Sequence, residues 1–146
     1  MRNKRKVSAV PVYTGAHTIP ANTPEETPVE VTMVVEEQYI TDFAVYFPIG
    51  CAGLAHAQVY YGSEQLAPKP TGSSFIGNDL LVHSPAVWKC PDYPHTELTW
   101  KLWNLDDTYE HTPILYIAAE NEPAVKPYLI NQEILDRLKE ALFGGG

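Results

Sequence analysis

His95 and His111 lie on either side of a strand-like run, Glu97–Trp103, and Asp106-Asp107 follows that run directly. Imidazole beside carboxylate is a pairing that can hold a divalent cation or move protons near neutral pH. The setting argues for structure instead. Asn104-Leu105-Asp106-Asp107 is turn composition, because Asn and Asp bond to nearby backbone and tolerate left-handed φ. The Asp-x-Asp-x-Asp-Gly ladder of a calcium loop is missing. Cys51 and His56 would be a thiol and its base, but a turn and a strand five residues apart give no reason for one to face the other. Gly-x-Ser-x-Gly does not occur, and Gly72-Ser73-Ser74-Phe75-Ile76-Gly77 lacks the lysine and the strand-to-helix setting of a phosphate loop. The expectation is no catalytic residue, no metal and no cofactor.

The aromatic residues are more informative: Trp 3, Tyr 9 and Phe 4 exceed what one small core must hide. Strand alternation sends some outward, and Tyr46, Trp88, Trp103 and Tyr109 are the candidates for an exposed aromatic surface. Tyr and Trp give large contact area at low entropy cost, which suits a sugar platform or a subunit interface. Core and cross-strand packing account for the rest.

The elements that would position these residues are mostly strands. Val29, Val31, Met33 and Val35 alternate with Glu30, Thr32 and Val34. Tyr39–Phe47 follows, stopped by Pro48 and Gly50, with Phe43, Val45 and Phe47 on one face. Leu54–Tyr61 turns at Gly62-Ser63 into a short return, Glu64–Leu66. Phe75–Ile76, Asp79–His83, Glu97–Trp103 and Ile114–Ala119 complete the set. No helix of crossover length separates successive strands, which excludes a parallel α/β sheet. The fold class is all-β: an antiparallel β-sandwich over residues 29–122, with jelly-roll connections among the traces open to it.

Two flanks differ from this body. Residues 1–28 read as an extended arm, because Pro11, Pro20, Pro24 and Pro28 remove donors and disfavour helix before them. Residues 123–146 read as a connector flanked by Pro123 and Pro127, then a short amphipathic helix capped by Asn131. Ile134, Leu135, Leu138 and Leu142 share its apolar stripe, which must dock on its own sandwich or on a partner.

The chain has 146 residues and a formal net charge of -8. Arg2, Lys4, Arg5 and Lys6 hold four of its ten basic residues, so Val7 onward carries six basic against eighteen acidic residues. An acidic body of this kind offers no broad footprint for a phosphate backbone, which excludes sequence-specific nucleic-acid binding. No apolar run approaches the ~18–20 residues of a membrane span, and the basic start lacks the apolar stretch of a signal peptide. Cys51 and Cys90, with no oxidising address, are expected as free thiols.

Phe47-Pro48-Ile49-Gly50-Cys51-Ala52-Gly53-Leu54, then Tyr60-Tyr61-Gly62, and Trp103 through Thr112 resemble a group of small β-rich structural proteins from tailed phages and prophages. Ile19 through Glu26 fits the same layout, so the resemblance spans about residues 19–119. It implies a non-enzymatic virion component, a capsid, decoration or tail protein, made in the host cytoplasm and incorporated into the particle. Such a protein would self-assemble through its terminal arms as a homo-oligomer and meet other virion proteins. Arg2, Lys4, Arg5, Lys6, Ile134, Leu135, Leu138 and Leu142 are the expected interface residues. The alternative is a carbohydrate- or surface-binding sandwich using its exposed aromatics.

Overall fold

The computed structural model describes residues 11–122. They form eight strands: β1 (Val12–Ala16), β2 (Val29–Val35), β3 (Tyr39–Phe47), β4 (Ala55–Tyr61), β5 (Glu64–Ala67), β6 (Leu80–Lys89), β7 (Thr96–Asn104) and β8 (Ile114–Glu120). All pairings are antiparallel and build two four-stranded sheets, β1-β8-β3-β6 and β2-β7-β4-β5.

The pairing order has a simple logic. The first strand pairs with the last, the second with the seventh, the third with the sixth and the fourth with the fifth. The chain is therefore one long hairpin, folded at Gly62-Ser63 and wound into two sheets, which is the jelly-roll trace. Gly62 supplies the positive φ of 59° that a two-residue hairpin can require at its first turn position. A second consequence concerns the ends. The start of β1 and the finish of β8 are the two ends of that hairpin, so they lie side by side. The Ala119 N–H donates to the Pro11 carbonyl at 3.0 Å at that point.

Strand alternation decides which residues form the core. Phe43, Val45 and Phe47 of β3 meet Leu98, Trp100 and Leu102 of β7 across the sandwich, with Ala57 and Val59, Leu115 and Ile117 beside them. Trp100 is fully buried, edge-on to Phe43 with ring centroids 6.5 Å apart and tilted against Phe75 at 6.2 Å. A bulge between Ile40 and Asp42 lets both Ile40 and Phe43 point inward without breaking the ladder.

The first flank departs from the sequence-based expectation. Residues 12–28 are not an arm separate from the sandwich: β1 is an edge strand of the first sheet and Ile19 is fully buried in the core. Between the prolines, Val12 and Tyr13 carry ordinary strand-forming chemistry. The Tyr13 hydroxyl donates to Glu37 Oε1 at 2.7 Å and accepts from the Glu36 N–H, fastening β1 to the turn before β3. Burial and the Glu37 carboxylate push its pKa up to about 12. β6 is also longer than expected, running through Pro85 to Lys89, because an edge strand can leave a missing donor toward solvent. Arg2, Lys4, Arg5 and Lys6, and the whole 123–146 unit with Ile134, Leu135, Leu138 and Leu142, lie outside the described residues.

Candidate functional site

The histidine and aspartate group divides in two. His95 and His111 sit beyond opposite ends of β7, roughly 30 Å apart for a strand of this length. His95 is exposed in the turn before β7. At the other end, His111 Nε2 lies 2.8 Å from Asp106 Oδ2, while Asp106 Oδ1 accepts from the Thr108 and Tyr109 N–H groups. Asp107 turns away to the Thr108 hydroxyl. The pair is a turn fastener: His111 exchanges backbone bonds with Ile19, and Asp106 receives the Asn22 N–H on its carbonyl. Among the described residues, no three His, Cys, Asp or Glu side chains converge to hold a metal.

This turn gives a pH-dependent prediction. The Thr108 N–H first, then His111 and the Tyr109 N–H, hold the Asp106 carboxyl below its usual value of 3.8. A lowered carboxyl pKa stabilises the fold above that value, and the gain disappears as pH falls through the folded-state pKa. Asp106→Asn is therefore expected to lower the melting temperature at pH 7, with the gap from the parent shrinking as pH falls below about 4. A pH-independent gap would show that the charge contributes nothing.

Cys51 and Cys90 are both buried and free, and burial pushes both thiols up, Cys90 to about 11. Neither is poised as a nucleophile. His56 is engaged otherwise, its Nδ1 2.7 Å from the Ser74 hydroxyl and its ring stacked on Trp103 at 5.0 Å. Burial lowers its pKa.

The four candidate aromatics do not form one platform. Trp103 lies on the outer face as its alternation predicts but corrects the expectation of an exposed aromatic: it is only 4% exposed, with His56 stacked on it. The 20–28 segment lies close by, for Thr23 bridges Asn104 and Glu25 acts electrostatically on His56. Trp88 is half-buried against the core and edge-on to Tyr61 at 5.5 Å. Tyr46 stands on the outside of the first sheet, its hydroxyl donating to Asp79 at 2.8 Å. Tyr109 alone is largely exposed, in the loop after β7.

A different surface stands out once register is followed across strands. Residues paired in an antiparallel sheet share a face, and three rows cross the outside of the β1-β8-β3-β6 sheet. Val12, Ala118, Asp42 and Pro85 form the first row; Thr14, Tyr116, Ala44 and His83 the second; Ala16, Ile114, Tyr46 and Leu81 the third. Ala118 and Ala44 in the middle make a low floor between taller neighbours. The result is a shallow groove of about 190 Å³ lined by Val12, Asp42, Ala44, Leu81, His83, Tyr116 and Ala118. Val12 is 53% and Leu81 43% exposed, and Val87 farther along β6 is exposed as well.

Asp42 and His83 are the polar groups in that groove, with Asp42 Oδ2 2.6 Å from His83 Nδ1. Asp42 Oδ1 is shielded from water and has no hydrogen-bond partner among the described residues. The outside of the other sheet contrasts with this face. Its rows carry Glu30, Lys101 and Gln58, then Thr32, Thr99 and Tyr60, with the Lys101 ammonium 4.3 Å from the Tyr60 ring centroid. The groove face is the more apolar of the two, a contrast that interaction surfaces show. The groove also falls below the ~300–1,000 Å³ of small-molecule pockets, so it suits side chains of a macromolecular partner. Sequence reading missed it, since its residues come from four strands spread over a hundred positions. Comparisons with protein-family models, curated proteins and solved structures return no match.

Proposed function

We propose that this protein is a non-enzymatic structural subunit of a virus particle, and that it self-assembles through the apolar outside of the β1-β8-β3-β6 sheet together with its flanking segments. Jelly rolls serve in capsid proteins and lectins alike, so the fold does not choose between them. The observation that carries the reading is the position of the groove. Its first row, Val12, Ala118 and Asp42, lies at the end of the sheet where the described chain both begins, at Pro11, and ends, at Glu122. Interaction surface and connecting segments thus meet in one place, as an assembling subunit requires. The phage-like sequence resemblance supplies the particle. A carbohydrate-binding role has no comparable support, because the aromatics are dispersed.

Leu81→Asp tests this reading. An exposed edge-strand position tolerates such a change with little effect on folding, while a charge in an apolar interface weakens association strongly. In sedimentation velocity the full chain is expected to run as an oligomer and Leu81→Asp as a folded monomer. Thr32→Asp, on the outside of the other sheet, should behave as the parent. A parent chain that stays monomeric at ~100 μM, within the affinity range of weak specific assemblies, would overturn the reading.

A further inference from the structure

We propose that the occupant of the groove is the segment 131–143 of a second copy of this chain, seated by Ile134, Leu135, Leu138 and Leu142. This rests on the assembly reading and names its partner surface. Four observations converge on that segment.

The first is placement. β8 ends at Glu120, and the described chain leaves two residues later from the end of the sheet that carries the groove's first row. Eleven residues lie between Glu122 and Ile134, a reach of up to ~40 Å for extended chain, enough to arrive on an adjacent molecule. The second is direction. Pro123 and Pro127 fix their own φ and bias the residues before them toward extended backbone. That favours a path outward from β8 over a reversal onto the same sheet.

The third is charge. Residues 11–122 hold fifteen acidic and three basic residues, a net of -12, so two such bodies pressed face to face repel each other. Residues 123–146 hold three of each sign and bring no such penalty to the face of a neighbour. The fourth is shape. Apolar residues at helical spacing present a narrow ridge, and a groove floored by Ala44 and Ala118 and walled by Val12, Leu81 and Tyr116 receives a ridge. Reciprocal exchange between two copies closes the arrangement with two-fold symmetry and covers both grooves.

The test uses full-length chains. One copy carrying Leu81→Cys is mixed with another carrying Leu138→Cys and treated with a short bismaleimide; the buried native thiols leave the background low. Separately, Leu135→Asp with Leu138→Asp is examined by sedimentation velocity. The expected results are an intermolecular link between the two copies and a loss of association on the order of 100-fold in the double variant. No link would overturn the proposal. So would a purely intramolecular link when both cysteines share one chain, because the segment would then cover its own groove. If the double variant still associates while Leu81→Asp does not, the occupant is wrong and assembly through this face stands. If the parent chain is itself a monomer, the assembly reading fails first.

Discussion

Trp100→Ala is expected to lower the stability of the sandwich by about 3–5 kcal/mol, the usual cost of emptying a large aromatic site in a packed core. Trp100 is fully buried at the centre of β7, between Phe43 of the facing sheet and Phe75 of the loop before β6. Two other parts of the chain, β3 and the loop before β6, converge on it, so the surroundings cannot collapse into the void without moving two sheets. Its indole N–H is shielded and unpaired among the described residues, so the loss is one of packing and of edge-to-face attraction to Phe43. Trp100→Phe keeps most of that packing and should cost less than half as much. Thermal melts should place Trp100→Ala roughly 10–20 °C below the parent. A shift of only a few degrees would show that the core relaxes around the site.

The second large effect belongs to Asn104, a fully buried polar residue at the end of β7. Its Nδ2 donates to the Ile19 carbonyl at 3.2 Å and the Tyr109 carbonyl at 2.9 Å, and its Oδ1 accepts from the Asp106 N–H at 3.0 Å. Its own backbone exchanges two bonds with Thr23. One side chain thus joins the 19–23 segment, the end of β7 and the loop that follows. Asn104→Ala leaves the Asp106 N–H and the Tyr109 carbonyl without these partners, while Ile19 keeps the His111 N–H. The expected loss is about 2–4 kcal/mol. Asn104→Asp is the sharper variant, since it keeps the acceptor but aims a carboxylate at two carbonyl oxygens. It should be less stable than Asn104→Ala at pH 7 and recover as pH falls toward 4, when the carboxyl is protonated. Urea titrations at both pH values measure this. Equal stability of the two variants at pH 7 would contradict the bonding pattern.

Much of the sandwich is legible from local pattern alone. β2 and β3 begin and end where alternation, Pro48 and Gly50 place them, and β7 shows its inner Leu98, Trp100 and Leu102 in the sequence. What fails is whatever depends on distant partners. β1 hides among prolines because the strand that holds it, β8, comes a hundred residues later. β6 is cut short in a local reading by Pro85, which is compatible with strand only because nothing among the described residues pairs with its far edge. Trp103 alternates outward as expected, yet is buried by His56 and the neighbouring segment. The groove is the extreme case. Ala44 and Ala118 look like ordinary small residues until register sets them in successive rows of adjacent strands, with Val12 and Leu81 at the margins.

Under the proposed assembly, the outside of the β1-β8-β3-β6 sheet is covered when copies associate. Carbene footprinting of the intact chain at high and low concentration measures this residue by residue. Val12, Leu81 and Tyr116 are expected to become protected as concentration rises, while Thr32 on the opposite face and Tyr109 in its loop label equally throughout. Labelling of Val12, Leu81 and Tyr116 that stays as high in the concentrated sample as in the dilute one would contradict that assembly.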